Sequence, residues 1–125
     1  MNTLFSHVCV VTMDDRMSVW TDAFVGVTDG KISYLSKHAP EEKPEKIIDA
    51  TGMVLMPGLI NCHTHLPMQL LRGYADDLKL QEWLNDYIFP REDRLDGRCV
   101  RAATTLAVAE CLKFGVTSVS DMYYF

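Results

Sequence analysis

The sequence predicts an α/β protein in two parts, a small all-β unit over residues 1–57 and a strand–helix–strand unit over residues 58–125. Three observations predict it. Short runs rich in Val, Ile and Thr, separated by polar turns, fill the first part. After Pro57 the apolar period lengthens to that of helices. The longest helical stripe then lies between two short apolar runs of strand type, and a βαβ order in one sheet requires parallel strands.

Thr3 to Met13 reads as the first strand, and Asp14-Asp15-Arg16 as a polar turn. Ser18 to Thr28 is a second β-rich run. Asp29-Gly30 signals a hairpin, because both residues tolerate the positive φ angles of a two-residue turn, and Ile32 to Leu35 returns from it. Residues 36–46 hold Pro40, Pro44 and three glutamates and read as an exposed connection. Lys46 to Ala50 and Met53 to Met56 are short strands about a tight turn at Thr51-Gly52. Past Pro57, Leu59 to Cys62 is an apolar strand and Leu66 to Asp77 a long loop with a helical turn. Leu80 to Phe89 carries apolar residues at 80, 83, 84, 87 and 88, a stripe predicted to stop at Pro90. The next helix takes Asp96 as its N-cap and runs to Phe114. It places Val100, Ala103, Ala107, Cys111 and Phe114 on one face and ends at Gly115. Val116 to Ser120 is a second buried strand.

Bulk properties narrow the function. A chain of 125 residues, 48% hydrophobic, can bury one modest core. Its net charge of -5, with Lys and Arg nowhere clustered beyond adjacent pairs, disfavours nucleic acid and anionic membranes as partners. A small-molecule ligand fits better. The four cysteines, Cys9, Cys62, Cys99 and Cys111, lack CxxC or zinc-finger spacing, and three of them sit in apolar stretches that read as core. Reduced thiols and a cytoplasmic location are expected. No secretory leader pattern and no apolar run of about 20 residues are found.

The chemistry concentrates in Pro57-Gly-Leu-Ile-Asn-Cys-His-Thr-His-Leu-Pro67. Side chains at i and i+2 of a strand share a face, so His63 and His65 can converge on one cation. Imidazole suits zinc and iron, yet a catalytic site takes about three protein ligands plus water, and this stretch supplies two. An arbitrary His-x-His is more often a surface pair.

The flanks alter that balance. Pro57-Gly-Leu-Ile-Asn-Cys-His-Thr-His-Leu-Pro-Met68, with Leu70-Leu-Arg-Gly-Tyr-Ala-Asp-Asp77 and Glu82-Trp-Leu84, resembles the amidohydrolase superfamily. The nearest branch is that of the 5'-methylthioadenosine/S-adenosylhomocysteine deaminases and their chlorohydrolase-like relatives. The likeness extends from Val10-Val-Thr-Met-Asp14 to Gly115-Val-Thr-Ser-Val-Ser-Asp-Met122.

This resemblance implies that residues 1–57 are the N-terminal portion of a β-sandwich. Residues 58–125 are then the first βαβ part of a (β/α)8, TIM-like barrel. Such a barrel needs about 250 residues, so an N-terminal fragment is expected, inactive alone and prone to aggregate. The resemblance makes His63 and His65 ligands of one divalent metal, zinc or iron, at the C-terminal end of strand one. The remaining ligands and the proton-shuttling acid/base group fall beyond residue 125; His7 and His38 are poor substitutes. The implied reaction is hydrolytic deamination of an adenosine thioether to the inosyl product and ammonia. Alternatives are guanine, cytosine, triazine or another heterocycle as substrate, or a short non-catalytic β-rich module. Substrate-binding residues would be Trp83, as a stacking platform over the barrel mouth, and Glu92, as acceptor for two vicinal ribose hydroxyls. From periodicity alone Trp83 is a core aromatic, and Glu92 is equally a solvated charge in Arg91-Glu-Asp-Arg94. Arg72, Asp76 and Asp77 are expected to fix their loop, and Asp121 to cap the next helix. A homo-oligomer is compatible with all of this.

Overall fold

A computed structural model describes residues 1–123; Tyr124 and Phe125, the last of the second predicted part, lie outside the described residues. The chain divides into two compact units, one from Met1 to Pro57 and one beginning at Gly58. Among the described residues, no helix is long and apolar enough to cross a membrane.

In the first unit, strand alternation sets the core. Leu4, Ser6, Val8 and Val10 of β1 (Thr3–Val11) are buried, alternating with more exposed neighbours. β2 (Val19–Thr28) pairs antiparallel with β1, and β3 (Lys31–Ser36) antiparallel with β2. β4 (Lys46–Asp49) and β5 (Val54–Leu55) both run parallel to β1, giving one five-stranded sheet. The turns obey their residues. Asp29 and Gly30 take φ of 49° and 74°, the double positive pair of a tight hairpin. Asp14 closes its turn by accepting the Ser18 backbone N–H at 2.9 Å and the Ser18 hydroxyl at 3.0 Å. β1 also carries a bulge: its register against β2 slips between Phe5 and Val8, and His7 there adopts φ 57°. The exposed His7 ring lies 3.1 Å from Asp22 Oδ1, an outward pair remote in role from any core. Val8, Val10, Ala23, Val25 and Ala50 form that core, with Phe5, Trp20 and Leu55 packed against it.

In the second unit, β6 (Leu59–Thr64) and β7 (Val116–Asp121) are paired in parallel, as a βαβ order requires. Between them come a 3-10 helix (Leu66–Leu71), α1 (Leu80–Glu82), a π-helical stretch (Trp83–Ile88), α2 (Phe89–Glu92) and α3 (Gly97–Lys113). Three expectations change here. The helix predicted to stop at Pro90 passes through it to Glu92. The Phe89 N–H reaches back five residues to the Leu84 carbonyl, and the wider turn sets Pro90 in the first turn of α2, where its missing N–H costs nothing. Phe114, predicted on the buried stripe, is 72% exposed, whereas Ala103 and Ala107 are buried. The helix ends at Lys113, and Phe114 leaves its path with φ -99° and ψ 15°. Lastly, β6 and β7 read as buried strands but expose Leu59, Ile60 and Val119, because a strand pair offers α3 only a narrow surface to cover.

Asp96 caps α3 as expected, accepting the backbone N–H groups of Cys99 at 2.9 Å and Arg98 at 3.0 Å. These bonds, that of Cys99 foremost, hold its carboxyl below the usual aspartate value. The cap therefore stabilises the fold above the unfolded-state pKa and loses its effect as pH falls through the lower folded-state value. Asp96→Ala should melt a few degrees lower at neutral pH. That gap should close below about pH 4 when melting is followed by far-ultraviolet circular dichroism.

Candidate active site

β6 delivers the histidines with a local irregularity. Asn61 faces Val119 and Thr64 faces Asp121, so β6 fits three steps against two on β7, and the extra residue falls at Cys62-His63. The His63 N–H, displaced from the ladder, donates to the Asn61 side-chain oxygen at 3.1 Å. Two residues on, the chain turns into the 3-10 helix at His65, with Pro67 fixing its first turn. The rings meet edge to face, their centroids 5.2 Å apart at 84°. Their Nε2 atoms stand 3.3 Å apart.

The end of β7 orients this pair. His65 Nδ1–H donates to the Met122 carbonyl at 2.6 Å, which leaves the lone pair on Nε2. Asp121 Oδ1 accepts the Leu66 N–H at 3.0 Å. Asp121 thus caps the short helix after the histidines, since the register of the parallel pair sets it beside Thr64 and so level with the start of that helix; the next helix, which the sequence has it capping, lies outside the described residues.

The donor geometry fits a metal. Two ligands each 2.0–2.1 Å from a tetrahedral zinc stand about 3.3–3.4 Å apart, which is the spacing of the two Nε2 atoms. Among the described residues, no third His, Cys, Asp or Glu joins them in a cluster suited to a metal.

Beside His65 opens a cavity of about 250 Å³, with Met68, Leu84, Ile88 and Phe89 as apolar wall and Glu92 as its carboxylate. Glu92 is 3% exposed, and the Tyr123 hydroxyl donates to its Oε1 at 2.7 Å. The solvated-charge reading of Glu92 is thereby removed. Its place on α2, reached only because the helix continues through Pro90, turns it inward. Trp83 is half-buried on the π-helical stretch and is not among the residues lining this cavity. Arg72 pairs with Glu110 of α3, its Nη1 at 3.0 Å from Oε1, and so ties the loop after the histidines to α3. Tyr74 of that loop packs edge-on against Tyr87, with the Arg91 guanidinium 5.4 Å from its ring centre. Met122 and Tyr123 escaped the sequence reading. A backbone carbonyl carries no signal in sequence, and a tyrosine just past a strand reads as any other aromatic.

Residues 54–125 match the model of the amidohydrolase family. The chain belongs to the amidohydrolase family. This amidohydrolase chain is 42% identical over 122 residues to the 5'-deoxyadenosine deaminase of Methanosarcina acetivorans, covering 98% of the chain and 28% of that protein. It is 40% identical over 126 residues to the 5-methylthioadenosine/S-adenosylhomocysteine deaminase of Pelotomaculum thermopropionicum, covering 98% of the chain and 29% of that protein. Among solved structures it superposes on a zinc-bound adenosine deaminase from Xanthomonas campestris with a TM-score of 0.89 at 38% identity. That match covers 99% of the chain and 29% of the other. The chain therefore spans less than a third of the length of each relative.

Proposed function

We propose that the intact protein is a metal-dependent aminohydrolase that removes the 6-amino group of an adenosine with a 5'-thioether substituent. C6 exchanges its amino group for the oxygen of water, giving the inosyl product and ammonia. The observation that carries this reading is the convergence of His63 and His65 Nε2 at 3.3 Å, with the His65 tautomer set by the Met122 carbonyl, beside a cavity containing a buried carboxylate. The name of the Pelotomaculum relative supports the thioether, and that of the Methanosarcina relative an adenosine altered at its 5' position.

His63 and His65 would hold one divalent ion, zinc by analogy with the zinc-bound neighbour. Such an ion would supply Lewis acidity to the hydrolysis. The other work falls to the chain itself. Glu92 accepts the 2'- and 3'-hydroxyls of the ribose, while Met68, Leu84, Ile88 and Phe89 exclude water and suit a thioether and the purine edge. Trp83, half-buried on the π-helical stretch, would serve as the stacking platform for the purine. The βαβ unit from Leu59 to Asp121 is read as the opening of a (β/α)8 barrel, with the histidines at the C-terminal end of its first strand.

The test is deamination of 5'-methylthioadenosine by the zinc-loaded intact protein, followed as ammonia released per inosyl product formed. Glu92→Gln should raise KM for this riboside by roughly tenfold or more and leave free adenine unaffected. Equal loss on both substrates would remove Glu92 from ribose binding.

A further inference from the structure

Three consecutive residues at the end of β7 each hold a different part of the site. The Asp121 carboxylate takes the Leu66 N–H, the Met122 carbonyl takes His65 Nδ1–H, and the Tyr123 hydroxyl donates to Glu92 Oε1 at 2.7 Å. The first two fix the metal-ligand side of the cavity; the third reaches across to α2, 31 residues earlier in the chain. Glu92 and Tyr123 line the same cavity as His65.

From this juxtaposition we propose that Tyr123 is a positioning residue for substrate specificity, its hydroxyl holding the Glu92 carboxylate in the one orientation that receives a vicinal diol. The inference rests on the ribose-binding reading of Glu92 and adds the residue that makes it selective. A glutamate has three side-chain torsions, and a carboxylate that binds two hydroxyls at once must present its oxygens at a fixed angle. A hydroxyl donor on Oε1 restrains the last of these torsions and occupies one lone pair. Hydrogen bonds to a charged acceptor are short and about twice as strong as neutral ones, so this restraint is firm. It also couples the two halves of the site. The segment that sets the His65 tautomer also sets the carboxylate, so the distance between the metal pair and the ribose contact is held by three adjacent residues of one strand end.

Tyr123→Phe keeps the ring and removes only the donor. In the zinc-loaded intact protein it should raise KM for 5'-methylthioadenosine roughly tenfold. kcat/KM for the 2',3'-dideoxy counterpart should stay within about twofold, since that substrate presents no diol. In a Glu92→Gln background the same change should have no further effect on the riboside, because the partner it orients is gone. Equal losses of Tyr123→Phe on riboside and dideoxy substrate, or effects that add to those of Glu92→Gln, would overturn the inference and mark Tyr123 as structural. If Tyr123→Phe lowers the melting temperature enough to obscure the kinetics, the decision passes to affinity. Calorimetric titration of folded protein with the two nucleosides at low temperature must show weakening confined to the diol, and unselective weakening overturns it. The parent reading fails separately: Glu92→Gln without effect on the riboside removes the ribose contact itself, whereas an effective Glu92→Gln with an inert Tyr123→Phe removes only the role of Tyr123.

Discussion

Replacing His65 with alanine in the intact protein is expected to release its zinc and to lower turnover of 5'-methylthioadenosine by at least about 1,000-fold. Of the two histidines it is the better anchored. It is half-buried, its Nδ1–H is bound to the Met122 carbonyl at 2.6 Å, and its Nε2 stands 3.3 Å from that of His63. Removing it would delete one of the two proposed ligands, and with it the ring whose tautomer the Met122 carbonyl sets. Partner groups that only orient a metal-bound histidine are worth about 10–100-fold in metal affinity, so loss of the ligand itself should exceed any change made behind it. Metal analysis per chain after dialysis, together with the rate of ammonia release, checks the prediction. Retention of about one zinc per chain with unchanged turnover would remove His65 from the metal site.

Gly58→Ala should destabilise the second unit by about 2–3 kcal/mol, close to the upper end for overpacking. A Cβ at Gly58 would lie 2.0 Å from Thr117 Oγ1, 2.3 Å from its Cγ2 and 2.7 Å from its Cβ. Rotating Thr117 about χ1 cannot clear all three atoms, because the Cβ does not move. Gly58 is required here for room, where β6 and β7 come together, and not for an unusual φ. The consequence lies in packing and in register: the strands must part where Leu59 pairs with Val116, at the base of the strand that leads to both histidines. Thr117→Gly in the same chain should recover most of the loss, and Thr117→Ala only part, because its Cβ would still stand 2.7 Å away. Urea denaturation of the three variants tests the ordering. An unperturbed Gly58→Ala protein would mean that the strands do not approach as closely as described.

Much of this was legible in the residues because local physics and the final structure agree. Asp29-Gly30 can hardly do other than turn, Asp96 and Gly115 bracket α3 by their capping chemistry, and His-x-His on a strand puts two imidazoles on one side. Sequence reasoning failed where the outcome depends on partners distant in the chain. Pro90 normally breaks a helix, and only the five-residue reach from Phe89 to Leu84 lets the chain continue and bury Glu92. That single wide turn converts a residue in a charged run into the carboxylate of a cavity. The bulge at Cys62-His63 and the cap that Asp121 provides for Leu66 both follow from the β6–β7 register, which no local pattern encodes.

His63 and His65 are proposed to hold the catalytic ion jointly through their Nε2 atoms. The most direct measurement is the position of anomalous scattering at the zinc edge in crystals of the intact, active protein. A single peak about 2.0–2.1 Å from both Nε2 atoms, with His65 Nδ1 still on the Met122 carbonyl, is the predicted result. A zinc peak bound by other residues, with the two imidazoles sharing only their hydrogen bond, would contradict it.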